Sequence, residues 1–193
     1  MKSYDAIVIG VSAGGMEALP IVMEPLPEDF PVPILIVQHI SPHSDGYMSR
    51  YLDSVCHVQV REAGEKDELR PGTVYLAPAN YHLLVEDDLT LSLSVEERVN
   101  FARPSVDVLF ETAAEAFGSR LVGIILTGAN RDGSRGLKKI RQNGGLTIAQ
   151  SPETAFAEDM PRAAIAAGAA DYIMPLDQIG PFLCRLFGRE HVK

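Results

Sequence analysis

Short apolar runs alternate along this chain with stretches whose apolar residues fall at helical spacing. Residues 6–10, 34–38 and 121–127 are almost wholly apolar, as expected of parallel strands covered by helices on both faces. Residues 16–23 read as a helix behind Gly14-Gly15, with Pro20 expected in or near its first turn, and 47–52 as a short second helix. Residues 57–60 and 73–77 read as strands. Residues 81–85 and 89–94 read as a hairpin turned at Glu86-Asp87-Asp88, so this middle stretch is expected to be the antiparallel part of a mixed sheet. Ser105 is placed to cap a helix that presents Val106, Leu109, Phe110, Ala113 and Ala116-Phe117 at helical spacing and ends at Gly118. A helix over 134–142, a strand over 146–149, a helix over 162–167, a strand over 171–174 and a helix over 176–187 complete the alternation. The pattern predicts an α/β fold, a doubly wound three-layer α/β/α sandwich with a mostly parallel, Rossmann-like sheet and an antiparallel hairpin. No repeat or linker interrupts it, so all 193 residues are expected to form one domain.

The polar residues that follow three of these runs point to chemistry. Ser12, His39 and Asp132 each stand just past an apolar run, and loops after parallel strands share the sheet edge where ligands bind. A hydroxyl, an imidazole and a carboxylate gathered there supply a nucleophile, a base and a group that orients the base, as a serine hydrolase requires. Gly10-Val11-Ser12-Ala13-Gly14-Gly15 turns from strand into helix, which lifts the Ser12 hydroxyl off the edge. The N–H groups that follow, at Ala13 and Gly14, suit an oxyanion, and the glycines permit a tight turn and close approach of a substrate. The same segment also reads as a plain glycine-rich turn with Ser12 capping the helix. A dinucleotide site fits less well, because Ser12 replaces the middle glycine and the second strand ends in Gln38-His39 rather than an acid. The G-x-S-x-G elbow of α/β-hydrolases is matched literally by Gly10 to Gly14. That fold, however, needs several strands before the serine and a late histidine, and here only His191 follows the aspartate.

His39 can face the same edge as Ser12, and a base there must be neutral, so turnover is expected to rise with pH. A lone histidine at a strand end is also commonly a hydrogen-bonded structural residue. His43 is a second base candidate in a polar loop, while His57 and His82 read as structural. Asp132 lies in a glycine-bounded loop entering a helix. It is either a capping carboxylate or the acceptor of the His39 N–H, and the roles conflict only if it points wholly into the helix. No cluster has zinc spacing, and no metal or other cofactor is expected. The formal charge of −9, without a long basic cluster, argues against nucleic acid and anionic membranes as partners. No apolar stretch approaches the roughly 20 residues needed to cross a bilayer. Cys56 and Cys184 lack CxxC spacing, and the N-terminus runs straight into a strand, which fits a reducing cytoplasm.

In order along nearly the full chain, several segments resemble the catalytic domain of the chemotaxis protein-glutamate methylesterase (CheB-type) family. They are the Gly10 to Gly15 loop, Gln38-His39, Arg103-Pro104-Ser105-Val106-Asp107-Val108-Leu109-Phe110, Leu126-Thr127-Gly128 with Asp132-Gly133, Ala149-Gln150 and Met160-Pro161-Arg162-Ala163-Ala164. The resemblance implies a Ser12, His39, Asp132 triad that hydrolyses glutamate γ-methyl esters on the cytoplasmic helices of chemoreceptors, releasing methanol, with glutamine deamidation as a second activity. The family commonly has Met-Gly after Thr-Gly in the aspartate loop, where this chain has Ala129-Asn130, so Ala129 and its neighbour are expected to shape the pocket differently. Family members usually carry a phosphoacceptor receiver domain before the catalytic domain. None is read here, so the chain is either a stand-alone family member or an excised domain, and a separate receiver or kinase protein is a further expected partner. The resemblance also implies glutamate-rich substrate helices, which a chain of charge −9 repels unless cations face the cleft. Arg103, Arg131 and Arg162, with Arg135, are the candidates. Two other readings stay open: a catalytically silent signalling or scaffold module of the same fold, and a small-ester or amide hydrolase without a receptor substrate.

Overall fold

A computed structural model describes residues 3–41 and 43–189, so His191 lies outside the described residues. The chain runs through β1 (Ala6–Val11), α1 (Gly15–Met23), β2 (Ile34–Gln38), α2 (Tyr47–Val55), β3 (Gln59–Glu62), β4 (Thr73–Leu76), β5 (His82–Val85) and β6 (Leu91–Ser94). It continues through α3 (Val106–Phe117), β7 (Leu121–Ile125), α4 (Ser134–Gln142), β8 (Leu146–Gln150), α5 (Asp159–Ala166), β9 (Tyr172–Met174) and α6 (Leu176–Leu186). Seven strands form one sheet in the order β3-β4-β2-β1-β7-β8-β9, and every neighbouring pair is parallel.

Helices cover both faces, which is why β1 is apolar at every position. Its Ala6 and Val8 pack into a core with α3, α4 and α5 residues such as Phe110, Leu137 and Met160. Its Ile7, Ile9 and Val11 pack on the other face with Leu19 of α1, Leu52 of α2 and Leu183 of α6.

The middle of the chain departs from expectation. It is not the antiparallel part of a mixed sheet: β3 and β4 pair in parallel at one end of the main sheet, and β5 and β6 form a separate antiparallel pair. The polar alternation in β3 reflects its position at the sheet edge, where only Val60 is buried, rather than antiparallel pairing. The hairpin lies on α3, where Leu83, Val85 and Leu91 join the core and the Val85 N–H donates to Thr112 Oγ1 at 3.2 Å.

Pro20 is another correction, since it sits in the second turn of α1 rather than the first. An interior proline costs about 3 kcal/mol or more. Burying Leu19, Val22 and Met23 beside it offsets this, at roughly 1.5–3 kcal/mol for each large side chain. α5 begins three residues earlier than expected because Pro161 fits within its first turn, where its missing N–H has no helical partner.

Candidate active site

The order β2-β1-β7 places the ends of three adjacent strands, and hence His39, Ser12 and the Asp132 loop, side by side on the carboxyl edge. Asp132 is almost fully buried, and its Oδ2 lies 2.8 Å from His39 Nε2. The same carboxylate caps α3, accepting the Val106 N–H at 2.6 Å and the Asp107 N–H at 3.1 Å. Ser105 occupies the capping position of α3 without capping it; its hydroxyl instead donates to Asp132 Oδ1 at 2.8 Å. Asn100 Nδ2 donates to that same Oδ1 and to Asp107 Oδ2, both at 2.8 Å. The two roles read for Asp132 therefore coexist, because the helix that it caps is α3 and not the one its own loop enters. Gly10 makes this possible: a Cβ there would lie 2.2 Å from Val106 Cγ1 and push the α3 terminus away.

Burial works against the charge on Asp132, but the hydrogen bonds from His39, Asn100, Val106 and Asp107 outweigh it and hold the carboxyl below the ordinary carboxylate range. For Asp107, burial and the neighbouring Asp132 charge prevail over the hydrogen bond from the Gly136 N–H, and its carboxyl is pushed up. Asp132 thus remains an anion suited to orienting an imidazole.

The backbone N–H of His39 donates to Val11 O at 3.1 Å, and its Nδ1 lies 3.1 Å from Asn130 Nδ2. Asn130 Oδ1 accepts the Asp132 N–H at 2.9 Å, which turns the amide NH2 toward the ring. This network assigns the imidazole proton to Nε2, facing Asp132, and leaves Nδ1 as the basic atom under the Asn130 amide.

Ser12 is half-buried. Its N–H donates to Thr127 O at 2.9 Å, and its carbonyl accepts from the Gly15 N–H at 3.0 Å and from Gln38 Nε2 at 3.0 Å. Among the described residues its hydroxyl has no hydrogen-bond partner, and neither do the N–H groups of Ala13 and Gly14. Ser12 does not cap α1: that position belongs to Gly14, whose φ of 85° is left-handed. The close approach at Gly15 comes from Gln38, whose Oε1 lies 1.7 Å from where a Cβ would stand. A Cβ on Gly128 would fall 2.9 Å from Ser12 Cβ, so the Asp132 loop reaches the Ser12 loop directly, with Ala129 exposed beside it.

The arginines divide. Arg103 lines the hollow beside His39, but its guanidinium is taken up by Val95 O at 2.7 Å, Glu96 O at 2.9 Å and Asn80 Oδ1 at 2.9 Å. Arg162 pairs with Glu158 along α5, and Arg135 pairs with Glu111. Arg131 is exposed and has no ion pair among the described residues. Arg98, not singled out from the sequence, lines the hollow with His39, Asn100 and Asn130. Asn100 was also missed, and no local signal marked it; Asn130 stood out through the departure from Met-Gly, but its contact with His39 was not read. His43 is exposed. His82 is structural, as read: its Nδ1 accepts the Ser105 N–H at 3.2 Å, and its Nε2 lies 2.9 Å from Glu97 O. Among the described residues no group of three or more His, Cys, Asp or Glu is placed to hold a metal, and no helix is long and apolar enough to cross a membrane.

The same arrangement of strands and loops occurs in known proteins. The crystal structure of the Thermotoga maritima CheB methylesterase catalytic domain superposes with a TM-score of 0.91 at 36% identity, covering 95% of this chain and 99% of that one. A Leptospira interrogans protein provisionally named protein-glutamate methylesterase/protein-glutamine glutaminase is 54% identical over 184 residues, 95% of each chain. The protein-glutamate methylesterase FrzG of Myxococcus xanthus is 42% identical over 180 residues, 93% of this chain and 54% of FrzG. With the CheB methylesterase family model matching residues 7–183, the chain belongs to the CheB methylesterase family.

Proposed function

We propose that this protein is a serine hydrolase that removes the methyl group from glutamate γ-methyl esters on the cytoplasmic helices of chemoreceptors. Membership of the family favours this reading over a silent scaffold. The observation that carries the chemistry is the 2.8 Å contact between His39 Nε2 and the Asp132 carboxylate, beside a serine whose hydroxyl has no competing partner among the described residues.

In this mechanism His39 Nδ1 takes the Ser12 proton as Oγ attacks the ester carbonyl carbon. The Ala13 and Gly14 N–H groups receive the negative charge that develops on the carbonyl oxygen. The bond between the carbonyl carbon and the methoxy oxygen then breaks, that oxygen takes the proton from the imidazolium, and methanol leaves with the acyl group on Ser12. Water, deprotonated by His39, then releases the glutamate carboxylate from Ser12. Glutamine follows the same course with ammonia as the leaving group. Asn130 must turn away from Nδ1 before the first step, and this cover is the one observation that favours a quiet module.

Cytoplasmic location and control by a separate receiver or kinase protein belong to the same proposal. A methylated receptor fragment, assayed beside a small chromogenic ester, tests it: methanol release from the fragment is expected. Turnover of the small ester alone would point to a general esterase, and turnover of neither to a silent module.

A further inference from the structure

Phe101 and Phe156 are the most exposed large apolar side chains among the described residues, at 96% and 83%. Both lie at the catalytic edge. Phe101 lines the hollow that contains His39 and Asn130. Phe156 follows β8 and sits over the nucleophile loop, with its Cβ 2.6 Å from where a Cβ on Gly14 would stand. Phe156 thus borders the Ser12 loop and Phe101 the His39 side of the same edge.

Neither ring is presented without cost. Phe101 is the second central residue of a two-residue turn closed by paired bonds between Val99 and Ala102. Its φ is 63°, and that of Asn100 is 52°. Such turns favour Asn-Gly, and a phenylalanine in the left-handed region is strained. The turn is held inward by Asn100, which bonds Asp132, and this leaves Phe101 pointing into solvent. Phe156 is held similarly, since the next residue, Ala157, donates its N–H to Thr127 Oγ1 at 2.9 Å and accepts the Gly128 N–H at 2.9 Å. Each exposed ring therefore adjoins a residue bonded to the catalytic loops. Nearby, Arg98 and Arg131 are exposed cations without ion pairs among the described residues, on a chain of charge −9.

We infer that Phe101 and Phe156 form a two-point apolar clamp for an acidic, amphipathic polypeptide segment, whose apolar residues seat on the rings while the esterified side chain between them reaches Ser12. The inference rests on the hydrolase reading and narrows its substrate to a segment with apolar residues on both sides of the reactive glutamate. Exposed aromatics that become buried on docking are the usual anchors of such contacts, and free cations select an acidic partner over a neutral one.

The test uses two helix-forming, glutamate-rich peptides that carry one γ-methyl ester, with leucine or serine one helical turn to either side. Wild-type protein is expected to favour the leucine peptide about tenfold in kcat/KM, and the double variant Phe101→Ser, Phe156→Ser to lose that preference. Thermal unfolding of the double variant confirms that it is folded. Equal kcat/KM for the two peptides with wild-type protein, or an undiminished preference in the double variant, overturns the clamp. So does concentration-dependent self-association that disappears with the rings, since a second copy is then the occupant. If no ester is turned over, the hydrolase reading falls; a ring-dependent preference in binding of fluorescein-labelled peptides with glutamine at the reactive position still supports the clamp, and its absence overturns it.

Discussion

The two edges of the sheet carry opposite kinds of hollow. At the amino edge, Tyr4, Val32, Pro33, Leu69, Phe117 and Phe187 help to line an open, mainly apolar hollow of about 1000 Å³. The hollow beside His39 at the carboxyl edge holds about 250 Å³ and is lined by Asn100, Arg103 and Asn130. The smaller one is where our proposal places the chemistry, because its polar groups converge on one buried carboxylate, whereas the larger is a gap between elements packed through rings such as Phe30 and Phe187, 5.1 Å apart. In a parallel sheet the loops after adjacent strands meet at the carboxyl edge, so convergence rather than volume marks the site.

The sharpest way to break this comparison is Ser12→Ala. Methyl-ester turnover should fall by roughly four orders of magnitude while the unfolding midpoint stays put. Asp132→Asn should come next, losing on the order of a thousandfold or more in kcat, and unlike Ser12→Ala it should also destabilise the fold by about 2–4 kcal/mol. The amide cannot accept from all of the Val106, Asp107, Ser105 and Asn100 donors. Urea unfolding of both variants reads the difference, and an Asp132→Asn protein as stable as wild type would contradict the dual role.

Acid sharpens the same contrast. The Asp132 carboxyl is lowered in the folded state, so its stabilisation is present above the ordinary carboxylate range and is lost as pH falls through the lowered value. Asp107 is raised and acts oppositely, costing stability as pH rises from the ordinary carboxylate value toward its own. Stability measured across the acid range should therefore drop on acidification in wild type, and the drop should be smaller in Asp132→Asn.

Asn130→Gly removes the amide over His39 Nδ1 and is expected to raise kcat for a small ester severalfold. A fall would mean that Asn130 chiefly holds the ring in place. At the opposite edge, Phe187→Ala should cost about 1–2 kcal/mol through lost packing on Tyr4 and Phe30, with little change in turnover.

The residues that the sequence reveals most directly are those whose surroundings are uniform. β1, β2 and β7 are covered on both faces and read as almost wholly apolar runs, so the polar residues just past them stand out. What stays hidden depends on contacts distant in sequence. Asp132 caps α3 from 25 or 26 residues away, and Asn100 reaches it across 32, neither of which any local pattern encodes. Arg103 looked free for substrate because two of its acceptors are backbone carbonyls, which no sequence motif marks, and the third, Asn80 Oδ1, lies 23 residues away. β3 misled because an edge strand shows the same alternation as one half of a hairpin.

The central claim is that Ser12 is the nucleophile driven by His39, and covalent trapping tests it most directly. A serine-directed phosphonate, followed by peptide mass mapping, should leave one adduct on Ser12, formed rapidly in wild type and much more slowly in His39→Ala. An adduct on another residue, or labelling of Ser12 at the same rate without His39, would contradict the account.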